Sequence, residues 1–218
     1  MMQKLFKLHK GQKGITGLET AIILIAFVVV AAVFAYTVLS AGLFATQKSQ
    51  EAVYSGLKEA RSTLEIRGGV IATADTTGAS GTVGQISFVL STALGGEAMD
   101  FTPPSANTTD NGGVAAVNST NKVVINYVDQ YQEVNDLYWS ITKLGGSDVD
   151  DLLEQHEKFE ITIGSSSAGA DGGNLINALT NNLTVNRTFS IIVATPVGAV
   201  LEIERTMPAY IDQIINLH

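Results

Sequence analysis

Along the chain the apolar positions change their period twice. From Ala21 to Ala45, "AIILIAFVVVAAVFAYTVLSAGLFA", 25 residues carry no charge and the run is apolar on every face. A helix rises ~1.5 Å per residue, so this run reaches ~37 Å and can cross a hydrocarbon core of ~30 Å. Helices of soluble cores rarely stay apolar all round for about seven turns, which favours a membrane-spanning helix. Beyond Ala45 the pattern turns amphipathic. Val53, Leu57, Ala60 and Leu64 recur at helical spacing, while Lys48, Glu51, Lys58, Glu59, Arg61 and Glu65 fall mostly elsewhere around the wheel. Arg61 and Glu65 stand at i and i+4, a weak further support, and "RGG" at Arg67 to Gly69 is a stop signal. The pattern predicts one helix from Ile15 to Ile66, ~78 Å long. Its lower half is apolar, and its upper half packs one face on its own outer domain.

From about Gly68 the period shortens. "QISFVLSTAL", "NKVVINYV", "LYWSIT", "KFEITIG", "RTFSIIVAT" and "GAVLEIERTM" alternate or run apolar over six to ten residues rich in Val, Ile, Thr, Tyr and Phe. Gly, Asn, Ser, Thr and Asp collect between them. Short strands so spaced predict an antiparallel β-sandwich of immunoglobulin-like type, and an α+β chain as a whole. The predicted division is a leader over 1–14, the long helix over 15–66 and the outer β-domain over 67–218. No internal repeat is present.

Charge orients the helix. Lys4, Lys7, Lys10 and Lys13 precede the apolar run with no acid among them, which holds that end on the cytoplasmic side and sends the rest outward. From Arg67 onward six basic residues stand against 17 acidic ones, 6 − 17 = −11, a surface that repels nucleic acid. The chain has no cysteine, so an exported domain of this kind rests on core packing without disulfides.

A conventional secretory signal has an apolar region of ~7 to 15 residues and then a small-residue cleavage site. "SAG" at Ser40 to Gly42 mimics such a site, but Leu43, Phe44 and Ala45 continue the apolar run through it. The better boundary lies on the other side, where "KGQKG" meets "ITGLE".

A basic leader, a glycine, a cut and then an apolar helix with glutamate at its fifth position is similar to the class III signal of type IV pilins. "GITGLETAIILIAFVVVAAVFAYTVLSAGLF" resembles the N-terminal core segment of archaeal flagellins, the archaellins, over about 35 residues. "TFSIIVATPVGAVLEIERTMP" resembles that family's C-terminal hairpin, with Pro196 to Ala199 at the turn and Pro208 closing the last strand. The resemblance implies that a membrane-embedded prepilin-type peptidase cuts after Lys13 and Gly14, before Ile15. The apolar helix is then kept, and it bundles with copies of itself, alone or with other archaellins, as the centre of a filament. Ile22, Ile23, Leu24, Ile25, Phe27, Val30, Phe34, Tyr36, Leu39, Leu43 and Phe44 would form that polymerisation core. The resemblance further implies an extracellular filament turned by a membrane motor and assembly ATPase complex, so that swimming is the output.

Losing residues 1–14 removes four lysines and leaves nine basic and 21 acidic groups, 9 − 21 = −12. It also removes the cationic anchor that resists outward extraction. Glu19 then sits near the start of the mature helix, where the dipole favours a carboxylate. By analogy with pilins it would pair with the new amino terminus of a neighbour and set subunit register. Two alternatives share the signal or the anchor: an adhesive archaeal pilin, and a membrane-tethered binding protein that never polymerises.

Asn107, Asn118, Asn182 and Asn186 each open an N-x-Ser/Thr triplet, and the resemblance implies N-glycosylation of the outward-facing domain. Asp148, Asp150 and Asp151 could be taken for a cation site, but the segment lacks the glycine and ligand spacing of an EF-hand. Ser147, the acids and Leu152 and Leu153 read more simply as a capped helix start. "GADGGN" at Gly169 to Asn174 reads as a turn. His9 leaves with the leader, and His156 and His218 have no nucleophile near them in sequence. Trp139 reads as core. No catalytic constellation and no cofactor motif is expected.

Overall fold

The computed structural model describes residues 5–93, 97–107, 112–164 and 175–217, the side chains of 5–16 excepted. The chain divides into two units, Met1–Ser55 and Gly56–His218.

The described part of the first unit is helix. The helix α1 (Leu5–Arg61) runs 57 residues without a proline. Lys58 and Arg61 lie in its last turn, where cations meet the negative dipole end. It stops five residues earlier than its apolar spacing predicts. Ser62 N bonds the Lys58 carbonyl at 3.0 Å, and the next residues leave as the strand β1 (Leu64–Ile66). Leu64 explains the stop. At helical spacing it would extend an exposed face, whereas paired opposite Thr92 it is buried in the core, a gain of ~1.5 to 3 kcal/mol. Of Leu57, Ala60 and Leu64, which fall in the second unit, only Leu64 is buried.

In the second unit every strand pair is antiparallel. The larger sheet contains β2 (Val70–Thr76), β3 (Thr82–Thr92), β7 (Trp139–Leu144), β9 (Lys158–Ile163) and β12 (Ile214–Leu217), in the order β12-β2-β3-β9-β7, with β1 on β3. The second sheet runs β11 (Leu201–Thr206), β10 (Thr188–Ala194), β5 (Val124–Asp129) and β6 (Glu133–Val134). A two-residue pair, β4 (Met99–Asp100) with β8 (Leu152–Leu153), and the short helix α2 (Leu175–Ala178) complete it. Alternate residues of both sheets, Phe88 and Leu90, Phe159 and Ile161, Ile125 and Tyr127, Phe189 and Ile191, meet in one buried cluster. That is the expected sandwich. Trp139 is fully buried, edge-on to Phe101 at 6.0 Å, and Phe101 stands edge-on to Phe159 at 6.2 Å.

Two expectations are corrected. The hairpin β10–β11 turns where the sequence places it, but β11 is not the last strand: after Pro208 the chain crosses to the larger sheet and ends as β12 beside β2. The segment after Ser147 is not a helix. Leu153 is drawn into the core as part of β8, and both carboxylate oxygens of Glu157 hold backbone amides, of Asp148 and of Glu154, at 3.0 Å. That closes a loop in place of a helical turn. Gly169 to Asn174 and His218 lie outside the described residues.

Candidate functional site

A helix surrounded by water should hide its apolar side chains, and among the described side chains α1 hides none. From Ile22 to Phe44 all 15 large apolar side chains are exposed, from 55% at Val29 and Leu43 to 73% at Phe27 and Tyr36. The eleven expected to form a polymerisation core are all among them. The most apolar 18-residue stretch has a mean hydropathy of 2.9 and no part of it is buried. Only lipid or other protein can cover such a surface at acceptable cost. Three of the polar side chains along it are already provided for. The hydroxyls of Thr20, Thr37 and Thr46 donate to the carbonyls of Gly17, Phe34 and Leu43 at 3.0, 2.8 and 2.8 Å, so a dry environment leaves them bonded. Sequence periodicity marks the surface but does not reveal this self-satisfaction. Glu19 is exposed on the same helix. Lys13, Gly14 and Ile15 lie in its backbone, and their side chains lie outside the described residues.

The outer domain holds its own polar centre, which sequence reading missed. Asp129, at the end of β5, accepts five hydrogen bonds. Its Oδ1 takes the backbone amides of Tyr131 at 2.7 Å and Gln132 at 3.0 Å, while its Oδ2 takes the Tyr127 hydroxyl at 2.8 Å, Gln132 Nε2 at 3.3 Å and Arg187 Nη1 at 3.4 Å. Burial pushes its pKa up, and the hydrogen bonds from Tyr131, Tyr127 and Gln132 together outweigh that and leave it below the ordinary carboxylate value. Burial, then the neighbouring carboxylate, pushes the Tyr127 hydroxyl far above its usual range. Arg187 also donates to the carbonyls of Asn181 and Asn182 and lies 4.6 Å over the Tyr131 ring. The centre thus ties the β5–β6 turn to the loop before β10. The "DQYQ" of Asp129 to Gln132 is a legible turn signal; its distant partners are not.

The four Asn triplets sit differently. Asn118 is exposed in a turn closed by Ser119 N on the Ala116 carbonyl at 2.8 Å, and Asn186 is exposed with φ 54°. Asn107 and Asn182 are half-buried. The three aspartates do not converge on a common point. Asp148 Oδ1 accepts Asp150 N at 3.0 Å, Asp150 Oδ1 accepts Leu152 N at 2.9 Å, and Asp151 pairs with Lys143 at 3.1 Å. Among the described residues no group of three or more His, Cys, Asp or Glu is arranged to hold a metal ion.

Residues 14–205 match the archaeal-type flagellin family. The chain is 39% identical over 211 residues to a probable flagellin 1 of Archaeoglobus fulgidus, covering 95% of this chain and 96% of that one. It is 38% identical over 208 residues to a probable flagellin 2 of the same organism, covering 93% of each. Among solved structures it resembles a chain of the archaeal flagellum of Methanospirillum hungatei strain JF1, with a TM-score of 0.59 and 29% identity over 92% of this chain and 98% of that one.

Proposed function

The chain belongs to the archaeal-type flagellin family, and from that premise we propose how it is processed and which surface drives its assembly. It is a structural subunit of the archaeal flagellum, an extracellular filament. Its family sets it apart from the adhesive-pilin and tethered-receptor alternatives. In our reading the peptidase removes residues 1–14 at the cytoplasmic face, and α1, from Ile15 on, leaves the bilayer to bundle with the helices of other copies. The observation that carries this is that all 15 large apolar side chains from Ile22 to Phe44 are exposed, on a helix where the hydroxyls of Thr20, Thr37 and Thr46 are bonded internally.

Lipid tails already shield those side chains, so moving from bilayer to filament gains little from the hydrophobic effect. The preference must come from packing. Ala31 and Ala35, and Ala41 and Ala45 with Gly42 beside them, allow close approach between helices, and an added Cβ at Gly42 would meet nothing within the chain itself. Glu19, near the processed end, serves register by pairing with a neighbour's Ile15 amino group. Outside the membrane, Asn118 and Asn186 present accessible amides for N-glycosylation, whereas Asn107 and Asn182 are less accessible. Export and rotation require the assembly ATPase and motor of the membrane. N-terminal sequencing of shed filaments tests the pathway: the first residue is Ile15, and a start at Met1 or beyond Ala45 overturns it.

A further inference from the structure

Sheet edges are places where another chain can add on, and monomeric domains guard them with charge, proline or extreme shortness. The edges of this sandwich differ in that respect. β7 carries Lys143, β11 carries Glu202, Glu204 and Arg205, and β6 has two residues, one of them Glu133. The edge strand β12 reads Ile214-Ile215-Asn216-Leu217 and carries no charge or proline of its own; Arg205 Nε of β11 donates to its last carbonyl, that of Leu217, at 3.2 Å. Among the described residues it pairs with β2 on one side and with no strand on the other.

The outward face beside this edge carries two exposed isoleucines beside polar Thr73 and Asn216. Ile214 lies opposite Thr73 and Asn216 opposite Ile71. With Val70, Ala72 and Leu217 turned to the core, Ile71 and Ile214 share the outer face, 37% and 68% exposed. Further across, the same face shows Ser87 on β3, Thr162 on β9 and Ser140 on β7. Tyr210, exposed, and Asp212 precede the edge in sequence. An apolar centre with a polar rim is the anatomy of a protein contact.

We propose that the β12 edge, with Ile214 and Ile71, is a contact between outer domains of neighbouring subunits, its occupant a second copy of this chain. Charge restricts where copies can touch. A domain carrying −11 repels its like, and an uncharged patch is where two of them can approach. The patch is too small to hold two free molecules together. It does not need to, because subunits of one filament are already confined beside each other and a weak contact is then populated by effective concentration. Subunits repeated along a polar filament meet head to tail, so β12 faces a different surface of its neighbour and not another β12.

This inference rests on the chain being a filament subunit, and its test uses filaments, so the two fail separately. In cells expressing this chain as sole subunit, Ile214→Cys supplies the only thiol in the protein. Its alkylation by maleimide is expected to be at least about tenfold slower in purified filaments than in subunits dispersed in detergent. Filaments of Ile214→Lys are expected to come apart at a temperature lower by about 5 °C or more, or not to form. The dispersed Ile214→Lys subunit should melt, by Trp139 fluorescence, within about 2 °C of the parent. Equal alkylation rates in filaments and dispersed subunits, or Ile214→Lys filaments as heat-resistant as the parent, overturn the proposal.

Discussion

Replacing Asp129 by asparagine changes one atom at the centre of the outer domain's polar clasp. The remaining carbonyl can keep the amides of Tyr131 and Gln132, but the new amide faces the Tyr127 hydroxyl, Gln132 Nε2 and Arg187 Nη1, which all donate to Oδ2 in the parent. The hydroxyl can rotate to accept. The other two are left donor against donor, and Arg187, largely buried at this end, loses its carboxylate. Hydrogen bonds to a charged group contribute ~1.5 to 3 kcal/mol each, so after the partial recovery we expect a loss of ~2 to 4 kcal/mol at neutral pH. For a domain of this size that lowers the melting temperature by ~5 to 15 °C. The chain has a single tryptophan, Trp139, wholly inside the domain's core, so its fluorescence in the detergent-dispersed full chain reports this domain alone. Acid should close the gap. Asp129 has a folded-state pKa below that of an unfolded aspartate, ~3.9. Its contribution is therefore complete above that value and is lost as pH falls through the lower, folded-state pKa. Parent and variant should converge below about pH 4. A variant melting within 1 °C of the parent at pH 7, or a gap unchanged from pH 7 to pH 3, would refute the clasp as described.

Three further outcomes test other parts of the molecule. Val30→Lys places a charge near the middle of the apolar run, at a cost of ~2.5 to 3.5 kcal/mol in a bilayer, and electron micrographs of cells should show few or no filaments; normal filaments would remove Val30 from the packed core. Gly198 turns the β10–β11 hairpin with φ +103°, and a Cβ there would overlap the Ser62 carbonyl oxygen. Gly198→Ala should therefore cost at least ~2 kcal/mol in Trp139-monitored unfolding, and an unchanged midpoint would show that the turn can relax. Glycopeptide mass spectrometry of filaments should find sugar on Asn118 and lose it in Asn118→Gln, with lower occupancy at half-buried Asn182; a reversed order would show that exposure in the folded subunit does not govern modification.

Six of the strands were legible because each is a run of β-branched and aromatic residues with polar neighbours, as in "KFEITI" of β9 and "TFSIIVA" of β10. The apolar half of α1 was legible for the opposite reason, having no polar face. β2 was missed because "VIATADT" mixes Ala and Asp into a strand that only its pairing on both sides secures. β12 was missed because four residues after a proline give no period. Leu64 and Leu153 misled in the same manner, since each continues a plausible helical spacing and only long-range partners, Thr92 and Met99, show that it belongs to a strand. Most hidden was the Asp129 clasp. Its turn is local, but Arg187 comes from 58 residues away.

The proposed pathway places the irreversible step outside the membrane. Burying the 15 large side chains of α1 from water is worth ~20 to 45 kcal/mol as a gross upper bound, yet almost none of this drives transfer out of lipid, where the same side chains are already covered. Direction must then come from the charge lost at processing and from the surroundings the helix enters on extraction. Before cleavage, Lys4, Lys7, Lys10 and Lys13 tether the helix to the cytoplasmic face. In the proposed pathway only an amino terminus and Glu19 then remain at that end, so that a membrane assembly complex would draw the segment outward. Once the helix is packed among copies beyond the bilayer, the reference state for leaving is water and no longer lipid, so dissociation must re-expose the whole apolar surface. A filament assembled near balance at its base is thereby held permanently along its length, and the weak outer contacts at β12 need only set how neighbouring domains sit on that core.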